Sequence, residues 1–97
     1  MDDESAIIEG KYKIKKSSRQ YKKYMVLVNN KWVHFGDDWY EQYKDSTPLQ
    51  LYKHLDHNDA KWRRAYIARH TKRKDGDGKY FHKNKSSPEY WSLNYLW

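Results

Sequence analysis

The supply of apolar side chains limits this chain more than any other feature of its sequence. Of its 97 residues, 5 are Trp, 10 are Tyr and 2 are Phe, and aliphatic residues are few. A chain of this length forms one domain, near the lower size limit for a single apolar core. An aromatic side chain buries roughly 150–250 Å², and Tyr and Trp keep a polar tip that can stay wet. We therefore expect a small, partly open core built largely from aromatic rings.

Several classes of protein are disfavoured by the composition. The chain has no Cys, which excludes disulfides and thiolate metal sites. No apolar run approaches the ~20 residues that cross a bilayer, and the acids at positions 2–4 make the start unlike a signal peptide. The sequence therefore predicts a soluble intracellular protein with no membrane contact, no metal and no cofactor.

The net charge of +7 is unevenly distributed along the chain. Residues 1–10 carry acids and no Lys or Arg, whereas residues 11–36 carry cations and no acid. Residues 37–59 are mainly acidic, and residues 60–97 are again basic. Two basic blocks around an acidic middle are typical of a surface that binds polyanions, or of an ordinary Lys-rich surface.

The first half of the chain predicts a three-stranded antiparallel sheet. Residues 1–10 are expected to form a flexible acidic arm. Residues 11–16 alternate as a half-buried strand does, and residues 23–28 are apolar on both faces, as in a central strand. Asn29 and Asn30 suit the positive φ of a tight hairpin turn, so residues 31–35 should form the returning strand.

The second half predicts helices and an aromatic tail. Thr47 and Pro48 favour a short helix over residues 47–55. A second helix should begin at Asp56 or Asn58 and run to residue 70, with one face formed by Trp62, Ala65, Tyr66 and Arg69. Residues 86–89 resemble a capping box, and the aromatic residues behind them should close the core. The predicted fold is an α+β domain over residues 11–97, with a three-stranded sheet, two or three short helices and a packed aromatic C-terminal segment.

The candidate functional residues are cations that the predicted core does not need. One set lies on the second helix and in the loop after it: Lys61, Arg63, Arg64, Arg69, Lys72, Arg73 and Lys74. A second set lies around the first two strands: Lys13, Lys15, Lys16, Arg19, Lys22 and Lys23. Lys and Arg in such clusters contact phosphates without reading base sequence.

Other groupings of polar and aromatic residues have simpler structural explanations. His54, Asp56, His57 and Asp59, with His70, suggest a metal site or a nuclease-like acid–base pair, but helix capping and surface His residues explain them better. The acids around Gly76 lack the further ligands of a calcium loop. Trp32, His34, Trp39, Tyr40 and Tyr43 could stack on bases, although the shortage of aliphatic residues favours placing most of these rings in the core.

A resemblance to a known family rests on several segments in chain order. They are residues 11–17, Lys22-Lys23-Tyr24, Phe35-Gly36-Asp37, Asp56-His57-Asn58-Asp59, Arg63-Arg64 to Tyr66, Ala68-Arg69-His70, residues 87–92 and Tyr95-Leu96-Trp97. The pattern resembles an uncharacterised family of small basic proteins encoded by large double-stranded DNA viruses, with similar patterns in tailed phages. The resemblance covers residues 11–97 apart from 75–78. It implies a viral origin and a place in the virion or in the infected cell, with no established activity.

Together, the residues and the resemblance predict a non-enzymatic, virus-encoded structural protein. Its expected partners are nucleic acid, bound without sequence preference, and capsid proteins. One alternative is a minor capsid or cement protein that binds only coat subunits. Another is a metal-dependent nuclease that uses the His/Asp cluster.

Overall fold

Four antiparallel strands form a meander in which the order in space follows the order in the chain. The computed structural model describes residues 4–97, and its strands are β1 (Ser5–Ile8), β2 (Tyr12–Lys16), β3 (Lys22–Val28) and β4 (Lys31–Asp37). Two α-helices follow, α1 (Ala60–His70) and α2 (Pro88–Tyr95), with short 3-10 turns at Lys53–Leu55 and Phe81–Lys83. The α+β class with an antiparallel sheet is confirmed, and the prediction of three strands is wrong.

The additional strand, β1, comes from the segment predicted to be a flexible arm. Ala6 pairs with Ile14, and Ile8 pairs with Tyr12, so β1 forms an edge of the sheet. Ile8 is buried in the core, whereas Ile7 points outward and is exposed. The arm prediction is therefore wrong for residues 5–8, and residues 1–3 lie outside the described part of the chain.

The turn between β1 and β2 is tied to the C-terminal helix through Glu9. Its carboxylate accepts hydrogen bonds from the hydroxyls of Tyr90, at 2.9 Å, and Tyr95, at 3.1 Å. Lys85 lies 3.1 Å away as an ion-pair partner. Burial acts to raise the pKa of Glu9, but the bonds from these three side chains outweigh it and lower the pKa. The carboxylate therefore links two ends of the chain that are far apart in sequence.

The hairpin of β3 and β4 is the part of the sheet that local sequence specifies best. Asn29 and Asn30 have φ values of 50° and 64°, as the two central residues of a type I′ turn require. β3 lies between β2 and β4, which confirms it as an interior strand. On the core face Tyr24 lies opposite Phe35, and their ring centroids are 5.8 Å apart.

The aromatic C-terminal segment closes the core, as predicted. Trp91 and Leu96 are fully buried within the main apolar cluster. Ser87 caps α2 by accepting a hydrogen bond from the backbone N–H of Glu89. Gly36, with φ of 78°, lies so close to the tail that an added Cβ would be 2.8 Å from Leu96 Cδ1. Only glycine suits this position.

The helix predicted over residues 47–55 is absent, apart from the 3-10 turn at its end. Asp45 is fully buried and accepts hydrogen bonds from both the backbone N–H, at 3.0 Å, and the hydroxyl, at 2.6 Å, of Thr47. Asp45 also accepts from the Tyr24 hydroxyl at 2.5 Å and from the backbone N–H of Tyr52 at 3.1 Å. A carboxylate that takes up these N–H groups offers the backbone an alternative to a helix, so the segment packs as an ordered loop.

Helix α1 is confirmed, with a later start than expected. Its cap is Asp59, whose carboxylate accepts from the backbone N–H groups of Lys61 and Trp62. Asn58 takes a φ of 54° and turns the chain just before the cap. Asp56 is instead half-buried and accepts hydrogen bonds from the Gln42 side chain and from the backbone N–H of Asp45.

Candidate functional site

A cleft of about 640 Å³ lies between α1 and the loop that follows β4. One wall is the helix face of Trp62, Ala65, Tyr66 and Arg69. The opposite wall comprises the end of β4 and the next turn, and the floor includes Ser92, Leu96 and Trp97. Its volume falls in the range of about 300–1,000 Å³ that is usual for small-molecule sites.

Three large aromatic side chains at this cleft are exposed. Trp39 is 71% exposed, Tyr40 68% and Trp62 57%. Trp39 is held in place by its backbone N–H, which donates to Asp37 at 3.0 Å, and by the Tyr21 ring, 5.6 Å away. The expectation that such rings belong to the core is therefore wrong for Trp39 and Tyr40.

The aromatic face of α1 turns toward the cleft and not into the core. Among the residues of α1 none is buried. Tyr66 stacks on Trp97 with ring centroids 4.0 Å apart and planes 4° from parallel, and Arg63 Nε donates to the backbone oxygen of Trp97 at 2.6 Å. Arg69 lies over the Tyr66 ring at 5.9 Å. Stacking on Trp97 therefore positions the helix. Trp62 lies beside the cavity, exposed but with its ring 4.8 Å from the His57 ring.

Lys23 lies on the floor of the cleft but is only 2% exposed. Its ammonium donates to the backbone oxygen of Tyr40 at 2.8 Å and to the side-chain oxygen of Gln42. Burial lowers the pKa of Lys23 from 10.5 to about 8, against the opposing effect of nearby carboxylates led by Asp37. The prediction that Lys23 lies on a polyanion-binding surface is wrong, because this side chain holds the loop after β4 to the sheet.

Four cations of the first predicted set are exposed and make no ion pair within residues 4–97. In α1 the cations Lys61, Arg64 and Arg69 are exposed, as is Lys72 in the loop beyond it. Lys61 and Arg69 are eight residues apart, with Ala65 between them, so they follow one edge of the helix. Because Ala65 and Arg69 line the cleft, this edge borders its mouth.

The remaining members of that set have contacts within the domain. Arg73 forms an ion pair with Glu89, and Lys74 lies over the Tyr80 ring at 4.8 Å. Arg63 contacts Trp97 and lies over the Tyr43 ring at 4.9 Å. These three side chains are exposed but are partly committed to the fold.

The second predicted set lies elsewhere on the surface. Lys13 and Lys15 alternate with buried Ile14, so they lie on the sheet face opposite the core. Lys15 lies over the Trp32 ring at 5.2 Å. Lys16 and Arg19 are exposed and Lys22 is half-buried, and none of these five residues lines the cleft. Of the second set, Lys23 lines the cleft, and Lys22 lines a neighbouring pocket together with Arg73 of the first set.

The predicted His/Asp grouping is distributed among other roles. Asp59 caps α1, and its own backbone N–H donates to His57 Nδ1 at 2.9 Å. His70 stacks on Tyr66 with centroids 4.0 Å apart, and burial together with nearby Arg69 lowers its pKa despite Glu89. Within residues 4–97, no group of three or more His, Asp or Glu side chains is arranged to hold a metal ion.

Comparison with known proteins places the span that builds most of this site in one family. A family profile described as a family of unknown function (DUF5754) matches residues 12–70, more than half of the chain, from β2 to the end of α1. The chain belongs to this family. No curated protein and no solved structure matches it. No helix within the described residues has the length and apolar character needed to cross a membrane.

The DUF5754 span includes the basic helix, Lys23 and the exposed rings of Trp39, Tyr40 and Trp62. It excludes α2 and Trp97, which complete the floor of the cleft. Sequence reasoning identified the helix cations but missed the cleft. The only sequence signal for it is the number of aromatic residues between positions 39 and 66.

Proposed function

We propose that this protein is a non-enzymatic, virus-encoded structural protein that contacts nucleic acid without sequence preference. Four exposed cations carry that contact: Lys61, Arg69 and Lys72, which define the cationic edge beside the cleft, and Arg64, which lies on the outer side of the helix. The viral origin and the place in the virion are supported by the sequence pattern that resembles small viral basic proteins.

The absence of acids from α1 is the observation that favours this function over an ordinary charged surface. The helix sequence AKWRRAYIARH contains four Lys or Arg residues and no Asp or Glu. A solvated helix gains a few tenths of a kcal/mol from each acid–base pair four residues apart, and like charges at that spacing cost similar amounts. Of the four exposed cations, Lys61, Arg64 and Lys72 form no ion pair with an acid of residues 4–97. Three exposed cations without an acidic partner are available to an anion outside the fold.

Binding of random duplex DNA across ~50–200 mM salt tests the proposal by fluorescence anisotropy. Each phosphate contact contributes about −0.9 to the log–log slope, so four contacts predict a slope of roughly −3.5. The combined variant Lys61→Gln, Arg64→Gln and Lys72→Gln should flatten the slope by about 2 to 3. Its thermal melt should match the parent, because the three side chains are exposed.

A matched control removes the same charge away from α1. Lys31, Lys44 and Lys53 are exposed lysines, and replacing all three by Gln lowers the net charge equally. If this control flattens the slope as much as the α1 variant, the helix has no special role. If duplex and single-stranded DNA both fail to bind at ~50 mM salt, the nucleic-acid function is wrong and the edge is left for acidic coat proteins. Mass spectrometry of purified particles, before and after genome removal, tests the place in the virion.

A further inference from the structure

We infer that the cleft beside α1 binds an unpaired nucleobase, so that the protein prefers single-stranded to duplex nucleic acid. This inference rests on the proposed function and adds to it the form of nucleic acid that is recognised. Three features carry it: the exposed rings, the charges of the two walls and the position of the cationic edge.

The exposed aromatic rings at the cleft are not part of the hydrophobic core. Trp91, Tyr24 and Phe35 are fully buried and fill the interior, whereas Trp39, Tyr40 and Trp62 remain more than half exposed. Large apolar groups that gather at the surface of a small domain mark binding sites far more often than single exposed residues do. Rings that line both walls of one cleft can sandwich a planar ligand, and every nucleobase has a π face that stacks on Trp or Tyr.

The charges on the two walls of the cleft favour one orientation of a bound nucleic-acid strand. The helix wall contributes Arg69, and its rim continues into Lys61 and Lys72 on the cationic edge. The opposite wall contributes the carboxylates of Asp37 and Glu41. Phosphates are therefore attracted to the helix side and repelled from the other, which directs the bases inward.

Base pairing decides which form of nucleic acid fits. In a duplex each base is stacked and paired, so its face is not available to an aromatic side chain. A single strand can turn a base into the cleft while its backbone follows the cationic edge. Lys61 and Arg69 are about 12 Å apart along the helix axis at 1.5 Å per residue, which leaves room for more than one phosphate.

The test compares a ten-nucleotide oligothymidylate with a duplex of random sequence by anisotropy at one salt concentration. Trp62→Ala and Trp39→Ala should each weaken single-strand binding by at least about fivefold, the lower bound expected for losing one stacked base. Duplex binding should change less than twofold. Trp62→Phe should recover most of the affinity, because the ring face is retained. Trp32→Ala is the matched control, since Trp32 is exposed on the outer face of the sheet and does not line this cleft.

The two proposals fail in distinguishable ways. Suppose that duplex DNA binds with the expected salt slope, and that Trp62→Ala and Trp39→Ala bind single strands like the parent. This result would overturn the cleft inference and leave the proposed function standing. Equal affinity for both forms of DNA in the parent would also overturn it. Loss of a cooperative melt in Trp62→Ala would shift the decision to Trp39→Ala and to the rescue by Trp62→Phe.

Discussion

Replacing Lys23 by Met should remove a rise in folding stability that the parent protein shows between about pH 8 and pH 10. Burial lowers the pKa of Lys23 from 10.5 to about 8 in the folded protein. Below pH 8 both the folded and the unfolded chain carry the proton, and the cost of burying the charge is fully present. Between the two pKa values the folded chain has lost the proton and the unfolded chain still holds it. The free energy of unfolding therefore increases with pH in that window.

The size of the rise follows from the two pKa values. A difference of one pKa unit corresponds to about 1.4 kcal/mol, so full titration of Lys23 contributes roughly 3 kcal/mol. The rise should end near pH 10, where tyrosines of the unfolded chain begin to ionise. Burial raises the pKa of Tyr66 and of Tyr95 to about 12 in the folded state, so their contribution to stability is lost as the pH rises further. We therefore expect maximal stability between about pH 9 and pH 10.

Urea unfolding at pH 7.5, 8.5 and 9.5, followed by far-UV circular dichroism, measures this profile. The slope against pH is the test, because the absolute stability of Lys23→Met combines opposing effects. Met removes the buried charge but leaves the backbone oxygen of Tyr40 and the side-chain oxygen of Gln42 without their donor, at a cost of about 1–3 kcal/mol each. Lys22→Met is the control, since it removes a lysine at the next position and leaves Lys23 intact.

The pH dependence of the parent protein's stability tests whether the Lys23 ammonium is desolvated. If its stability is flat or falls between pH 8 and pH 9.5, the ammonium is not desolvated as the structure indicates. The same conclusion follows if Lys23→Met keeps the rise. A rise that disappears in Lys23→Met and persists in Lys22→Met would establish the buried amine as its source.

Two further pairs of variants test the packing around the cleft and the buried carboxylate. Gly36→Ala should destabilise the fold by about 2–4 kcal/mol, because it combines positive-φ strain with overpacking against the tail. Gly78→Ala should cost only about 1 kcal/mol of strain, because nothing lies within 4 Å of its added Cβ. Equal melting temperatures for these two variants would contradict the close packing at Gly36. Tyr24→Phe should cost about 2 kcal/mol, since it removes the hydroxyl that donates to the buried carboxylate and accepts from a backbone N–H. The hydroxyl of Tyr52 makes no hydrogen bond within residues 4–97, so Tyr52→Phe should stay within about 0.5 kcal/mol of the parent in urea melts. A similar loss of stability in both Phe variants would refute the role given to the Tyr24 hydroxyl.

The elements that sequence predicted are those whose signals are local. Asn29 and Asn30 specify the hairpin turn because few residues accept two successive positive φ values. Ser87, followed directly by Pro88, marks the start of α2 locally as well, because the cap hydroxyl and the Glu89 N–H that donates to it lie within one turn. In each case the physical cause lies within a few residues, so a short window of sequence contains it.

The elements that sequence missed depend on partners far along the chain. β1 is four residues long and is held by pairing with β2 and by the bonds from Tyr90 and Tyr95 to Glu9. The helix signal of Thr47-Pro48 is sound locally, but the buried carboxylate of Asp45 accepts from the Tyr52 N–H, which a helix over residues 47–55 would pair with the Pro48 oxygen. Neither effect can be inferred from periodicity, because the competing group is identified only once the fold brings it near.

The same reasoning explains why the basic helix was found and the cleft was not. A run of cations without acids is visible in α1 as it stands. Which aromatic rings fill the core depends on tertiary packing. A chain with few aliphatic residues must bury some aromatic rings, but the number of aromatic residues does not say which of them are buried. The core takes Trp91 and Tyr24, from opposite ends of the chain, and Leu96 closes it from the tail. With the interior filled in this way, the burial of Trp39 and Trp62 is not required for folding. These two rings face one cleft beside a helix that carries only positive charge, and a planar anionic ligand matches both properties at once.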